Sequence, residues 1–391
     1  MAFRDAAGGY PGGGAVESHL HPVPSFDVAD FPMPSGREEV WRFAPLPRFV
    51  ALLREPPVAD SGAAVAVAHD PMNTTLGTLA PGVGARGTAL VPVDRASALA
   101  SGGATQARHI HIAAAATLAE PIVVTVTGAG QHFAEHLVIE AGAGCDATVV
   151  VEHRGSALFL GNIEVIVGDG AKLSVVSVQD WAADAVHGGM HAATVGRDAQ
   201  YRHVMMTFGG DAVRIQNCVK YAGPGGSAEL YGLYFTDAGQ YQEHRLFVDQ
   251  NAPHTTSRVD YRGALQGQGA HSVWVGDVLI RRGANDIDSY EANKNLVLTD
   301  GCRADSVPNL EIETGNIKGA GHSSTTGRFD DEQLFYLMSR GLSAAEARRL
   351  VVQGFFYDII RRIGVPALEE RLKTHVDAEL AKAATQIEGQ E

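Results

Sequence analysis

Four glycine-bearing turns, at residues 141–144, 168–171, 196–199 and 223–226, constrain this chain more than any other feature. Each leads into a short β-rich run, at 148–151, 173–176, 201–206 and 229–234 in turn, and similar units start near Gly267 and Asp300. The first four turns recur roughly every 26–28 residues. A period of that length marks a repeat architecture, in which each unit buries its apolar face only by stacking on the next. Alternations such as His109-Ile110-His111-Ile112 and Glu164-Val165-Ile166-Val167 suit strands with one buried face. Long helical patterns between the strands are missing, which argues against doubly wound and barrel α/β folds. A β-sandwich and a β-helix remain. The near-constant turn spacing favours the second, a mainly β chain with a parallel β-helix core.

Residues 1–36, rich in Gly and Pro, read as a flexible N-terminal segment. Residues 37–106 read as an N-terminal subdomain opened by a short helical element over 37–43. Ser35 is placed to cap that element, with Glu38 three residues on and Pro45 and Pro47 ending it. The β-helix is expected over 107–328 and a C-terminal helical domain over 329–391. Asp330, with Gln333 three residues on, suits the start of a first helix that ends at Gly341. Ser343 and Glu346 form a capping box for a second helix to about Ile363, and a third runs from about Pro366 to Ala384. Such helices would either cover the solenoid end and block edge-to-edge pairing or serve as a docking surface.

A solenoid of 391 residues can grow by stacking, and a hydrophobic content of 45% suffices for a substantial core. The formal net charge of −14 argues against nucleic acid or an anionic membrane as a partner. No apolar run reaches about 18 residues and no secretory pattern opens the chain, so no membrane span is expected. Three cysteines, Cys145, Cys218 and Cys302, are too few and too odd for a disulfide framework and fit a reducing, cytoplasmic setting. Walker A, GxSxG, HExxH and CxxC motifs and a dinucleotide-binding strand–GxGxxG–helix unit are all missing, and the chain is expected not to be an enzyme. A β-helix enzyme acting on polysaccharide is the rival from another class. His109 and His111 share one side of a strand but lack a third ligand. The pairs His132/His136 and His187/His191 have helix-like spacing in regions read as strand and loop. By residue type alone, Cys302 reads as a small buried hydrophobe and His322 as a turn histidine.

The stretch from Gly321-His322-Ser323-Ser324-Thr325-Thr326-Gly327-Arg328 through Gly341 resembles the C-terminal signature of the SufB/SufD family. Asp288-Ser289-Tyr290-Glu291-Ala292-Asn293-Lys294-Asn295, residues 303–312, residues 253–257 and Arg37-Glu38-Glu39-Val40-Trp41-Arg42-Phe43 look like further family motifs. The resemblance is dense from about 220 to 360. Chain length, the short N-terminal part and Ser323, where SufB-type chains carry a glutamate, are most like the SufD branch. The resemblance implies a right-handed parallel β-helix and a scaffold role in iron–sulfur cluster assembly. It also implies a heterodimer with a SufB-like paralogue through the β-helices, and a SufC-like ATPase on the C-terminal helices. A homodimer is an alternative for the chain in isolation, its oligomeric state without partners being left open by the sequence. No stably bound cofactor is expected of the chain alone, with iron or a cluster bound transiently in the complex. By the same resemblance His322 and Cys302 are the candidate iron or cluster ligands. Asp331, Gln333, Leu334, Phe335, Leu337, Met338 and Arg340 are the candidate ATPase-docking residues. Ala320 replaces a cysteine that often precedes the histidine, a departure from the family pattern. The rival within the family is a SufB-type or homodimeric scaffold using Cys302 for sulfur.

Overall fold

The computed structural model describes residues 20–54, 56–57, 64–328, 331–364 and 366–388. In chain order, the N-terminal region holds α1 (Leu46–Arg54), β1 (Ala64–Ala68), β2 (Thr74–Leu79), α2 (Arg95–Gly103) and β3 (Ala107–Ile112). Two long strands follow, β4 (Ile122–Ala141) and β5 (Asp146–Val167). Then come β6 (Lys172–Trp181), β7 (Val186–Val195), β8 (Gln200–Thr207), β9 (Ala212–Tyr221), β10 (Ser227–Thr236) and β11 (Tyr241–Gln250). The last strands are β12 (Thr256–Leu265), β13 (His271–Ile280), β14 (Ile287–Val297), β15 (Arg303–Ile312) and β16 (Ile317–Arg328). Three helices close the chain: α3 (Asp331–Ser339), α4 (Ala344–Ile360) and α5 (Pro366–Glu388).

These strands form a parallel β-solenoid of about eight turns. Each turn contributes two strands. Odd-numbered strands from β7 to β15 build a front sheet and even-numbered strands from β6 to β16 a back sheet, joined where β5 bends from one to the other. The register gives the period: Asp146 lies opposite Lys172, 26 residues on, and Thr256 opposite Asp288, 32 on. The four sequence-defined turns all fall on one edge of this ribbon, where front strands pass to back strands. Gly144 and Gly170 take positive φ there, both 66°, a backbone state that side chains disfavour. Gly267 and Asp300 mark turns on the opposite edge.

Alternate residues face inward and make one continuous core, from Ile110 and Val149 through Leu230 and Val259 to Ile287. Both outer faces are also covered. On the front, Trp41, Phe49, Leu52 and Leu99 pack on Leu160, Val186, Tyr241 and Val275. On the back, Val352, Phe356, Ile359 and Leu372 pack on Val176, Val204, Met206 and Leu233. Each fully buried aliphatic or aromatic side chain contributes about 1.5–3 kcal/mol, so α4 and α5 are seated along the back sheet by its apolar outer face. This corrects one of the two roles expected of these helices: they cover a face of the solenoid, and among the described residues its end stays open. The Ser343–Glu346 capping box is present. The expected element at 37–43 is a single 3-10 turn, Glu39–Trp41, and the Glu38 carboxylate accepts from the Ser35 N–H and hydroxyl. Asp330 lies outside the described residues.

Candidate functional site

The last turn of the solenoid differs from every turn beneath it. Nine of ten residues of β13 are buried, whereas none of β15 or β16 is. Both terminal strands pair on one side only, β15 with β13 and β16 with β14, so the end presents two free sheet edges among the described residues. At the other end, β1 and β2 close the sheet as antiparallel partners of β4 and β3.

His322 is in the middle of β16, exposed, opposite Glu291 of β14. Its side of the strand is the inward one. Thr326, four residues on, accepts a long bond of 3.4 Å from Asn295, and Ala320, two residues back, packs on the core. His322 therefore stands at the mouth of the interior, on a strand rather than in a turn. Beneath it the interior is polar. The Tyr234 hydroxyl donates to Asn295 and accepts from Asn293, and the Ser306 hydroxyl donates to Asn293. Lower down, His244 stacks on Tyr234 and bonds Thr207, which donates to Gln179. His191 bonds His203, which also contacts Asn217 at 3.0 Å. Burial lowers the pKa of these imidazoles: His203 and His244 to about 3 and His153 to about 4, with His187 and His191 well below the usual value. All five are neutral at pH 7. Periodicity alone had not placed His187 and His191 inside the solenoid.

Cys302 sits apart from His322. It lies in the turn between β14 and β15, its thiol is 3.4 Å from the carbonyl of Gly267 in the turn between β12 and β13, and burial raises its pKa. Arg328 reaches Asp300 of the Cys302 turn, while His322 is six residues back along β16. At about 3.3 Å per residue, His322 is roughly 20 Å along the strand from Arg328, the end of β16 that lies beside the Cys302 turn. One chain does not bring them to a single ion. His109 bonds Glu140 and His136 bonds Glu164, so neither is an open ligand. A third grouping escaped the sequence entirely: His21, Glu311 and Glu313 have ligand atoms within 4.8 Å of one another. A separation of 290 residues left no local pattern to find it by.

On α3, Phe335 is 74% exposed, Tyr336 56% and Met338 45%, and Leu350 on α4 is 51% exposed. Leu337 is half-buried and Arg340 exposed, with its guanidinium 5.2 Å from the Tyr336 ring centroid. The side chains of Asp331, Gln333 and Leu334 lie outside the described residues.

Residues 124–355 match the family model described as SUF system FeS cluster assembly, SufBD core domain. An iron–sulfur cluster assembly SufBD family protein of Mycobacterium bovis is 48% identical over 364 residues, covering 91% of each chain. One from Mycobacterium leprae is 47% identical, covering 91% of this chain and 93% of its own. A more distant one from Synechocystis is 25% identical over 210 residues, covering 54% of this chain and 46% of its own.

Proposed function

The chain belongs to the SufBD family of iron–sulfur cluster assembly proteins, and from that membership we propose that it serves as a SufD-type scaffold subunit without turnover of its own. The observation that carries this reading is the open end of the solenoid. Two free strands of 10 and 12 residues are a standing invitation to pairing, and soluble proteins cover such edges. In this reading the cover is a SufB-like paralogue whose own β-helix pairs with β15 and β16. His322 then lies at the joint, where its imidazole donates a nitrogen to iron while neutral and withdraws when protonated. Iron and the nascent cluster are cargo: they assemble at the joint and leave.

The exposed apolar residues of α3 form the second contact. Phe335, Tyr336 and Met338 suit a SufC-like ATPase that binds a hydrophobic helix face. Because α4 and α5 lie along the back sheet, movement of a docked ATPase is passed to the solenoid and opens the joint at its end. A scaffold using Cys302 for sulfur is the weaker reading. Its thiol is protonated at neutral pH and remote from His322.

Co-expression with a SufB-like chain and a SufC-like ATPase, followed by anaerobic iron and sulfide analysis, tests the proposal. The intact complex should build cluster, and His322→Ala should cut the yield without dissolving the complex. An unchanged yield removes His322 from the mechanism.

A further inference from the structure

Resting on the reading of His322 as an iron ligand, we propose that Glu291 is a second ligand of the same ion, giving this chain a nitrogen–oxygen pair at the solenoid mouth. The two residues face each other in register on β14 and β16, and adjacent strands run about 4.8 Å apart. Both point inward. On β14, Ser289, Asn293 and Asn295 alternate with Glu291 and all bond inside the solenoid, to Ser257, Tyr234 and Ser306 among others. On β16, His322 falls in the same alternation between Ala320 and Thr326.

The Glu291 carboxyl is buried, 1% exposed, and neither oxygen has a hydrogen-bond partner. The Trp274 Nε1–H, whose ring lines the same wall, is likewise without a partner, but among the described residues Glu291 alone has two such buried atoms. The wall it meets is shaped for it. A Cβ at Gly276 would lie 2.5 Å from Glu291 Oε2 and 2.4 Å from the Trp274 ring, so only glycine leaves room for both. Burial, with Asp277 adding to it, pushes the Glu291 pKa up to about 8. An unpartnered acid of this kind costs stability that leucine would not, which points to use rather than packing. An incoming Fe2+ displaces the carboxyl proton to solvent and takes the carboxylate oxygen, with no change of oxidation state. An imidazole nitrogen and a carboxylate oxygen suit Fe2+ and leave positions open for sulfide and for the partner chain.

The test uses the full chain and Co2+ as a spectroscopic probe of the iron site. His21→Ala is present in every arm, because His21, Glu311 and Glu313 form a second grouping able to take the same ion. The parent is expected to take up one Co2+ with ligand-field absorption. Glu291→Gln should weaken binding at least tenfold and shift that spectrum, and His322→Ala should do the same. Glu291→Asp, which keeps the carboxylate, should retain an intermediate affinity and shows that loss in the glutamine variant is not misfolding. If Glu291→Gln titrates like the parent while His322→Ala loses binding, Glu291 is not a ligand and the reading of His322 stands. If the parent takes up no Co2+, or all variants bind alike, the proposal falls together with the reading beneath it.

Discussion

Arg214 shows how much a single residue can hide from its sequence. It lies on β9 between Val213 and Ile215, both of which face the solenoid core. In the structure it is 1% exposed, ion-paired to Asp94 and Glu243, bonded to the Val40 carbonyl and stacked 3.8 Å from the Trp41 ring centroid. Burial opposes its charge, but Glu243 and Asp94 more than offset that, and its pKa is raised. Asp94 is also the N-cap of α2, so one guanidinium ties the N-terminal subdomain to the front sheet. Arg214→Leu leaves the buried Asp94 carboxylate without its ion-pair partner and Glu243 with Arg245 as its remaining one, and should lower the unfolding free energy by about 3–5 kcal/mol; urea titration checks this, and a loss under 1 kcal/mol would contradict it. Glu164 plays a similar part, taking N–H groups from Gly87, Ala89 and Leu90 together with His136. Neither tie was legible, because the partners from the N-terminal region come from 74 to 174 residues away. His322 was found only through its resemblance to a family, since composition ranked it as a turn residue.

Among elements, the glycine turns were legible because backbone geometry demands them, and the repeat could be read from them. The second strand of each turn was legible only in part: Gly267 and Asp300 mark two opposite corners, but the corner between β6 and β7 is built by Ala182 and Ala185 and carries no glycine. The three C-terminal helices were legible from caps and periodicity, but their seat was not. Strands with one buried face were expected, whereas Val176, Val204 and Met206 give the back sheet a second apolar face that draws α4 and α5 onto it. α3 makes no such contact with its exposed residues. Phe335→Asp should therefore leave thermal unfolding within about 0.5 kcal/mol of the parent and abolish co-purification of a SufC-like ATPase. Retained co-purification would move the docking site off this helix.

For the whole molecule, a core lined with neutral histidines makes the solenoid sensitive to acid. Folded His153, His203 and His244 stay neutral down to about 4, 3 and 3, while unfolded histidine gains its proton near 6.5. Their stabilising effect is complete above about pH 6.5 and is lost as pH falls toward the folded values. At pH 5 each costs about 2 kcal/mol, and three together rival the stability of a whole domain. Near-ultraviolet circular dichroism should show tertiary structure lost near pH 5, and His244→Gln, which keeps a polar group toward Thr207, should move that midpoint down. An unmoved midpoint would exclude His244 from the effect. Among the described residues no helix is long and apolar enough to cross a membrane. Among the described residues both faces are covered and one end is closed by β1 and β2, and the proposed joint with a paralogue is the open turn at 303–328. Backbone hydrogen exchange of the chain alone and with a SufB-like paralogue tests that most directly. Protection should appear across β15 and β16 and leave the peptides of α1 and α2 unchanged; protection on those helices instead, with 303–328 exchanging as before, would contradict it.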